Sequence, residues 1–212
     1  MSAVMQNSAK ISSEPFLNKV AKSFGAASDS YIQGARLQQQ VALDALALLP
    51  KQPYGHLLDL GCGPGWLHPR LIQHCQKLTA IDLSAGMLAR AAQANIASQY
   101  LQADAQQLPL ADASVDNVFS SLMLQWCATP QRAVQELCRI LRPGGTMLLS
   151  TLVQGSMAEF QQSWAAVDND AHQLELWSAS DLLAQLHPLG IEISSVPTTT
   201  APVQMPVRHS DS

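Results

Sequence analysis

The stretch Leu58-Asp59-Leu60-Gly61-Cys62-Gly63-Pro64-Gly65-Trp66 closes an apolar run with three glycines in five residues. Glycines this close together mark a backbone that bends sharply and lets something approach it. Upstream, residues 56–60 read as a short strand, and downstream the pattern through about residue 74 reads as a helix. The turn therefore joins a first strand to a first helix, the place where α/β folds bind nucleotide-like ligands. A dinucleotide fingerprint would need its third glycine at position 66, where this chain has tryptophan. Pro64 also removes an N–H that a pyrophosphate would use. The turn admits a ligand against the backbone without being built to hold phosphates. A plain strand-to-helix connection would use the same glycines, so other residues must decide.

Working outward, strands and helices alternate. Residues 17–49 read as helical, with apolar positions at Leu37, Val41, Leu43, Leu46, Leu48 and Leu49, and Pro50 closes them. Further strands are expected at residues 78–83, 100–104, 115–121 and 146–151. Ser84 is placed to cap an Ala-rich helix over 85–97, and a second helix covers 130–141. Pro143-Gly144 suits a type II turn in which the glycine supplies φ > 0. Such alternation predicts a mostly parallel sheet with helices on both faces. Residues 56–151 form its core, and a helical segment over 17–50 precedes it.

Composition narrows the function. At 212 residues and 47% hydrophobic, the chain can bury one sizeable core, and residues 17–196 read as one domain after a flexible 1–16. A net charge of −4 opposes nucleic acid or an anionic membrane as partner. No membrane span or export signal is legible, so a cytoplasmic setting is expected, with Cys62, Cys75, Cys127 and Cys138 as free thiols. The six histidines form no HxxxH or HExxH pair, and no metal site is expected.

Carboxylates sharpen the ligand. Asp82 ends the second strand, 21 positions after Gly61, where an acidic side chain can accept from both hydroxyls of a ribose. Asp104 ends the third strand, where a carboxylate can take the exocyclic amine of an adenine. Either could instead cap the element that follows. Together with Asp59, they put an acid at three successive strand ends beside a phosphate-free turn. That fits an adenosine carrying a charged amino acid, which is S-adenosylmethionine.

The pattern resembles the class I methyltransferases, whose fold is Rossmann-like. More closely, Phe24-Gly25-Ala26-Ala27 with Tyr31, "LDLGCGPGW", "IDLSAGML", "SSLMLQWC" with its Gln125-Trp126 pair, and the stretch opening Thr151-Leu152-Val153-Gln154-Gly155-Ser156 are similar to the malonyl-acyl-carrier-protein O-methyltransferases of biotin synthesis. The resemblance implies that Gly61, Gly63 and Gly65 lie against the methionine portion of the cofactor. It places Asp82 on the ribose with Leu83 beside the adenine, Asp104 and Ala105 on the adenine edge, and Leu122 on the floor. Tyr31 would face cofactor or substrate, or simply pack. Trp126 is a pocket wall or plain core. The implied partner is an acyl carrier protein carrying malonyl.

The implied chemistry is displacement at a sulfonium methyl by a carboxylate with a pKa of about 4, already ionised at neutral pH, so no general base is required. Two departures from the family stand out. Ala26 replaces a usual basic residue, which removes a cationic contact there. Ile191 to Val196 reads as a sixth strand, followed by a Pro- and Thr-rich 197–212 that reads as a disordered tail. On that reading the chain is shortened at its C-terminus, the last antiparallel strand is missing, and the fifth strand keeps an open, association-prone edge. Two alternatives carry the same cofactor motifs: a methyltransferase of another small molecule, or a weakly cofactor-binding relative without turnover.

Overall fold

The computed structural model describes residues 36–49, 54–127, 129–156, 176–192 and 203–206. The helical reading of 17–35, Tyr31, and the reading of 1–16 as flexible lie outside the described residues. The elements are α1 (Arg36–Leu46), β1 (Tyr54–Leu60), α2 (His68–Leu71), β2 (Cys75–Asp82), α3 (Ala85–Ala92), β3 (Gln99–Gln102), β4 (Val115–Ser121), α4 (Pro130–Ile140), β5 (Leu141–Ser150), α5 (Ala179–Leu186) and β6 (Val203–Pro206). The sheet runs β3-β2-β1-β4-β5-β6, with the first five parallel and β6 antiparallel to β5. Strand order reverses between β1 and β4, so a crevice opens there at the strands' C-terminal ends.

Both faces of the strands are apolar, as a parallel sheet covered by helices requires. Leu57, Leu78, Ala80, Phe119 and Leu148 join one cluster with Ala42, Ala45 and Leu49 from α1 and the turn that follows it. Leu58, Leu60, Ile81, Val118, Met147 and Leu149 join the other, with Val134, Leu137 and Ile140 of α4 and Leu182 and Leu186 of α5. Neighbours such as Leu57 and Leu58 thus serve opposite faces, and burying each contributes roughly 1.5–3 kcal/mol. Small residues, Ala42 and Ala45, are what α1 buries most fully. They bring the helix close to the sheet, where the leucines alone would have held it away.

Element ends differ from the sequence expectation for local reasons. The helix α3 stops at Ala92, short of residue 97, because Asn95 takes a left-handed φ of 49° and turns the chain out. Ser84 does cap it, accepting from the Met87 N–H at 3.4 Å. After the glycine turn, α2 has only four residues and tightens into a 3₁₀ turn over Ile72–His74. The third strand ends at Gln102, so Asp104 sits just beyond it. Gly144 takes φ 78° in the bulge that interrupts β5, as its turn required.

The tail needs correction. No antiparallel strand was expected, yet Val203–Pro206 pairs with β5, from Val203 opposite Leu149 to Pro206 opposite Thr146. The prolines of this region fall around the tetrapeptide and at its last position, where a missing N–H costs least, so they do not break the pairing. The edge of β5 is therefore covered. Ile191 and Glu192 form no strand, and 193–196 lie outside the described residues. Among the described residues, no helix is long and apolar enough to cross a membrane.

One side-chain clamp fixes the loop after β3 to α4. Arg139 donates to Glu136 and Asp112 and to the carbonyls of Leu108 and Leu110, while Glu136 accepts the Leu108 N–H at 2.8 Å. Arg139→Met should cost about 2 kcal/mol in urea unfolding, since two loop carbonyls and two carboxylates lose their donor at once. The neighbouring guanidinium holds the Glu136 carboxyl below its usual range. A lowered folded pKa means that Glu136's contribution is present at neutral pH and is lost as pH falls through that lowered value. The gap between wild type and Arg139→Met should accordingly shrink in acid; an equal gap at both pH values would remove the ion pair from the explanation.

Candidate functional site

The glycine turn leaves β1 by hooking onto β2: the Gly61 and Cys62 N–H groups both donate to the Ile81 carbonyl, at 2.8 and 3.1 Å. Gly61, Gly63 and Gly65 all take left-handed backbone, with φ of 73°, 54° and 73°. Their reasons for being glycine differ. A Cβ on Gly61 would meet Met123 Cγ at 2.6 Å, and one on Gly65 would meet His68 and Ala91 at 2.8 Å. A Cβ on Gly63 would meet no protein atom within 4 Å. Gly61 and Gly65 are glycines for packing, whereas Gly63 faces open space.

Asp82 stands beside that space. One carboxylate oxygen accepts the Gly63 N–H and the other the Ser84 N–H, both at 2.8 Å. It thus ties the turn to the start of α3, and each oxygen keeps a lone pair for a ligand hydroxyl. Burial pushes its carboxyl above the usual range, against the lowering effect of those N–H bonds. Leu83, half-buried, follows and receives the Gln102 side chain on its carbonyl.

Asp104 is half-buried, and its Oδ1 accepts the Gln106 N–H at 2.9 Å. This is the local capping role the sequence left open, and Gln106 Nε2 also lies 3.3 Å from both carboxylate oxygens. Ala105 is buried in the larger core cluster, so its route to a ligand is through backbone. Asp59 does not reach the crevice surface. It is 4% exposed, and its Oδ2 lies 3.2 Å from Nε2 of the fully buried His68. That approach is close but off-axis, because neither ring nitrogen of His68 completes a hydrogen bond. Sequence reading missed His68; with no second histidine or cysteine at metal-ligand spacing, nothing around it advertised a partner.

The opposite wall follows β4. Leu122 takes a left-handed φ of 55°, rare for a branched side chain. Met123 next to it packs on Gly61, which joins this wall to the turn. Trp126 is half-buried in the short 3₁₀ turn Leu124–Trp126. All four cysteines are free thiols; burial, with Asp59 and Asp82 nearby, pushes the Cys62 thiol up, so no ready thiolate sits in the turn. Between the walls the chain offers backbone, apolar surface and hydroxyl-accepting carboxylates. Such a site suits a polyhydroxylated ligand that brings positive charge.

Residues 58–149 match the family described as a methyltransferase domain. A malonyl-[acyl-carrier protein] O-methyltransferase of Enterobacter lignolyticus is 44% identical over 153 residues, covering 72% of this chain, which spans 61% of that relative's length. A relative of the same description from a Marinomonas species is 39% identical over 199 residues, covering 88% of this chain and 73% of its own. Among solved structures, a chain from the complex between the Haloferax volcanii Trm112 methyltransferase activator and a methyltransferase superposes with a TM-score of 0.71. It covers 90% of this chain and 97% of its own, at 20% identity, and shows the fold alone.

Proposed function

The chain belongs to the malonyl-acyl-carrier-protein O-methyltransferase family, and from that premise we propose that it transfers a methyl group from S-adenosylmethionine to the free carboxylate of a malonyl thioester on an acyl carrier protein. The product is the methyl ester that primes pimeloyl synthesis for biotin, a cytoplasmic reaction. The observation that carries the reading is the open, left-handed Gly63 beside the doubly bonded Asp82. A ligand can lie on that backbone and reach the carboxylate in one pose.

Gly63 and the turn would receive the methionine portion, Asp82 the ribose hydroxyls, and Leu83 and the Asp104 loop the adenine. Bound there, S-adenosylmethionine supplies an electrophilic methyl carbon on a cationic sulfur, which the acceptor oxygen displaces as a neutral thioether. The acceptor arrives already ionised, so the chain has no proton to move. What its residues do is align acceptor oxygen, methyl carbon and sulfur, and keep water out. The buried thiols of Cys62, Cys75 and Cys127 and the enclosed Asp59–His68 pair fit that division of labour.

The test is transfer of labelled methyl to malonyl-carrier protein, with free malonate and unrelated small acids as comparators. A base-labile ester on malonyl-carrier protein is the expected product. Binding of S-adenosylhomocysteine without that product would keep the cofactor half of the reading and overturn the acceptor.

A further inference from the structure

The structure carries a strained residue at the crevice with an explicit latch around it. Leu122 sits at φ 55°, a region L residues occupy only when their surroundings insist. Its N–H donates to the Ser150 carbonyl at 2.8 Å, and its own carbonyl accepts from Gln125 Nε2 at 2.8 Å. The far end of the same amide is taken as well, because Thr151 Oγ1 donates to Gln125 Oε1 at 3.0 Å. A carbonyl can only accept, so the Leu122 oxygen settles which way the Gln125 amide points. The latch therefore spans the ends of β4 and β5, on the side of the crevice away from Asp82 and Asp104. Its output is Met123, which the Leu122 backbone aims onto Gly61.

We propose that Gln125 is a positioning residue that holds Leu122 in its left-handed conformation, with Thr151 orienting Gln125, and so sets the crevice wall against which the acceptor carboxylate is aligned. This rests on the methyl-transfer reading above. The residue acts through Leu122, not by touching the methyl group. Were Leu122 to relax to ordinary backbone, Met123 would swing off the glycine turn and the wall would move by more than alignment tolerates. Gln125 thus belongs to the mechanism although both ends of its amide are engaged by the protein.

Glycine adopts the left-handed region freely, so it needs no latch. This gives a double-mutant cycle. Gln125→Ala should lower kcat/KM for malonyl-carrier protein by about 30-fold when Leu122 is present, but by less than about threefold in a Leu122→Gly background. The loss should fall on kcat and on the KM for the acceptor more than on affinity for S-adenosylhomocysteine. Thr151→Val should reproduce part of the defect, and Thr151→Ser, which keeps the hydroxyl, should restore it. Urea unfolding of the same four proteins reads the latch independently of turnover. Equal effects of Gln125→Ala in both backgrounds, in transfer and in unfolding, would overturn the proposal. Coupling in unfolding without coupling in transfer would make the latch structural only and overturn the positioning role. A wild type that binds S-adenosylhomocysteine yet methylates no malonyl-carrier protein would instead overturn the acceptor reading, and with it the role assigned here, while the unfolding cycle still reports the latch.

Discussion

Gly63→Val should abolish measurable binding of S-adenosylhomocysteine while the helical circular dichroism is retained; Gly61→Ala and Gly65→Ala should instead lose stability and, while folded, keep more of their binding. The three glycines look equivalent in sequence, and all three are left-handed. What surrounds them separates their roles. A methyl on Gly61 must displace Met123 at its Cβ and Cγ, and one on Gly65 must displace Ala91 of α3 and the buried His68 ring. None of these can simply rotate away, so overpacking and left-handed strain add to about 2–4 kcal/mol of lost stability. At Gly63 no protein atom lies within 4 Å, so an added side chain enters space the protein does not use. There the cost to folding is backbone strain alone, about 1–2 kcal/mol. The cost to binding is collision with whatever lies on the turn, at least about a hundredfold. Gly63→Ala, with the smallest possible intrusion, should still weaken binding. Calorimetry and urea unfolding on the four variants check the pattern, and Gly63→Val that unfolds while Gly61→Ala stays stable would sink it.

How much of this was legible before the structure depends on whether the cause was local. The alternation of strands and helices, the cap at Ser84 and the positive φ at Gly144 follow from residue chemistry within a few positions, and each appears where the sequence placed it. Asp82 and Asp104 are legible at or near strand ends because strand ends are visible as pattern changes, although Asp104 lies two residues past β3. Asp59 looked the same by that rule, yet it turns inward to His68, since alternation along β1 decides the side it faces and the partner comes from the next helix. Burial of Ala105 was likewise invisible, because a small residue reads alike on either face.

Failures at longer range share one cause, a partner distant in sequence. The Gln125 latch needs Thr151, and the Arg139 clamp joins a loop some thirty residues away, as in its bond to Leu108. Composition alone argues against the β6 pairing, because the number of prolines there hides the positions at which they fall. Proline excludes a strand by position, not by number. The Gln125-Trp126 pair and the Thr151 stretch did stand out as family likenesses in the sequence. Only the fold shows that they touch.

Asp82→Ala should weaken cofactor binding by about 2 kcal/mol or more, roughly thirtyfold, because a charge-assisted pair of acceptors for the ribose disappears. The structure makes the expected loss larger than the ribose contact alone. The same carboxylate holds the Gly63 and Ser84 N–H groups, so its removal also frees the turn. Asp82→Asn is therefore no gentle substitution: its amide turns a donor toward one of two N–H groups and should lose comparable affinity. Acidity offers a test that leaves the turn intact. Burial raises the Asp82 carboxyl above its ordinary range, and ribose hydroxyls donate to the ionised form. Ligand binding then favours the ionised state, so affinity must fall as pH drops toward that raised value, at pH above the usual carboxylate pKa of about 4. Wild type should show this slope in calorimetry, with proton release on binding in the same window. Asp82→Asn, with nothing to titrate there, should be flat across it. A wild-type affinity unchanged down to a pH of about 4 would mean that no hydroxyl is held by Asp82, and the carboxylate would be left as the tie between turn and helix alone.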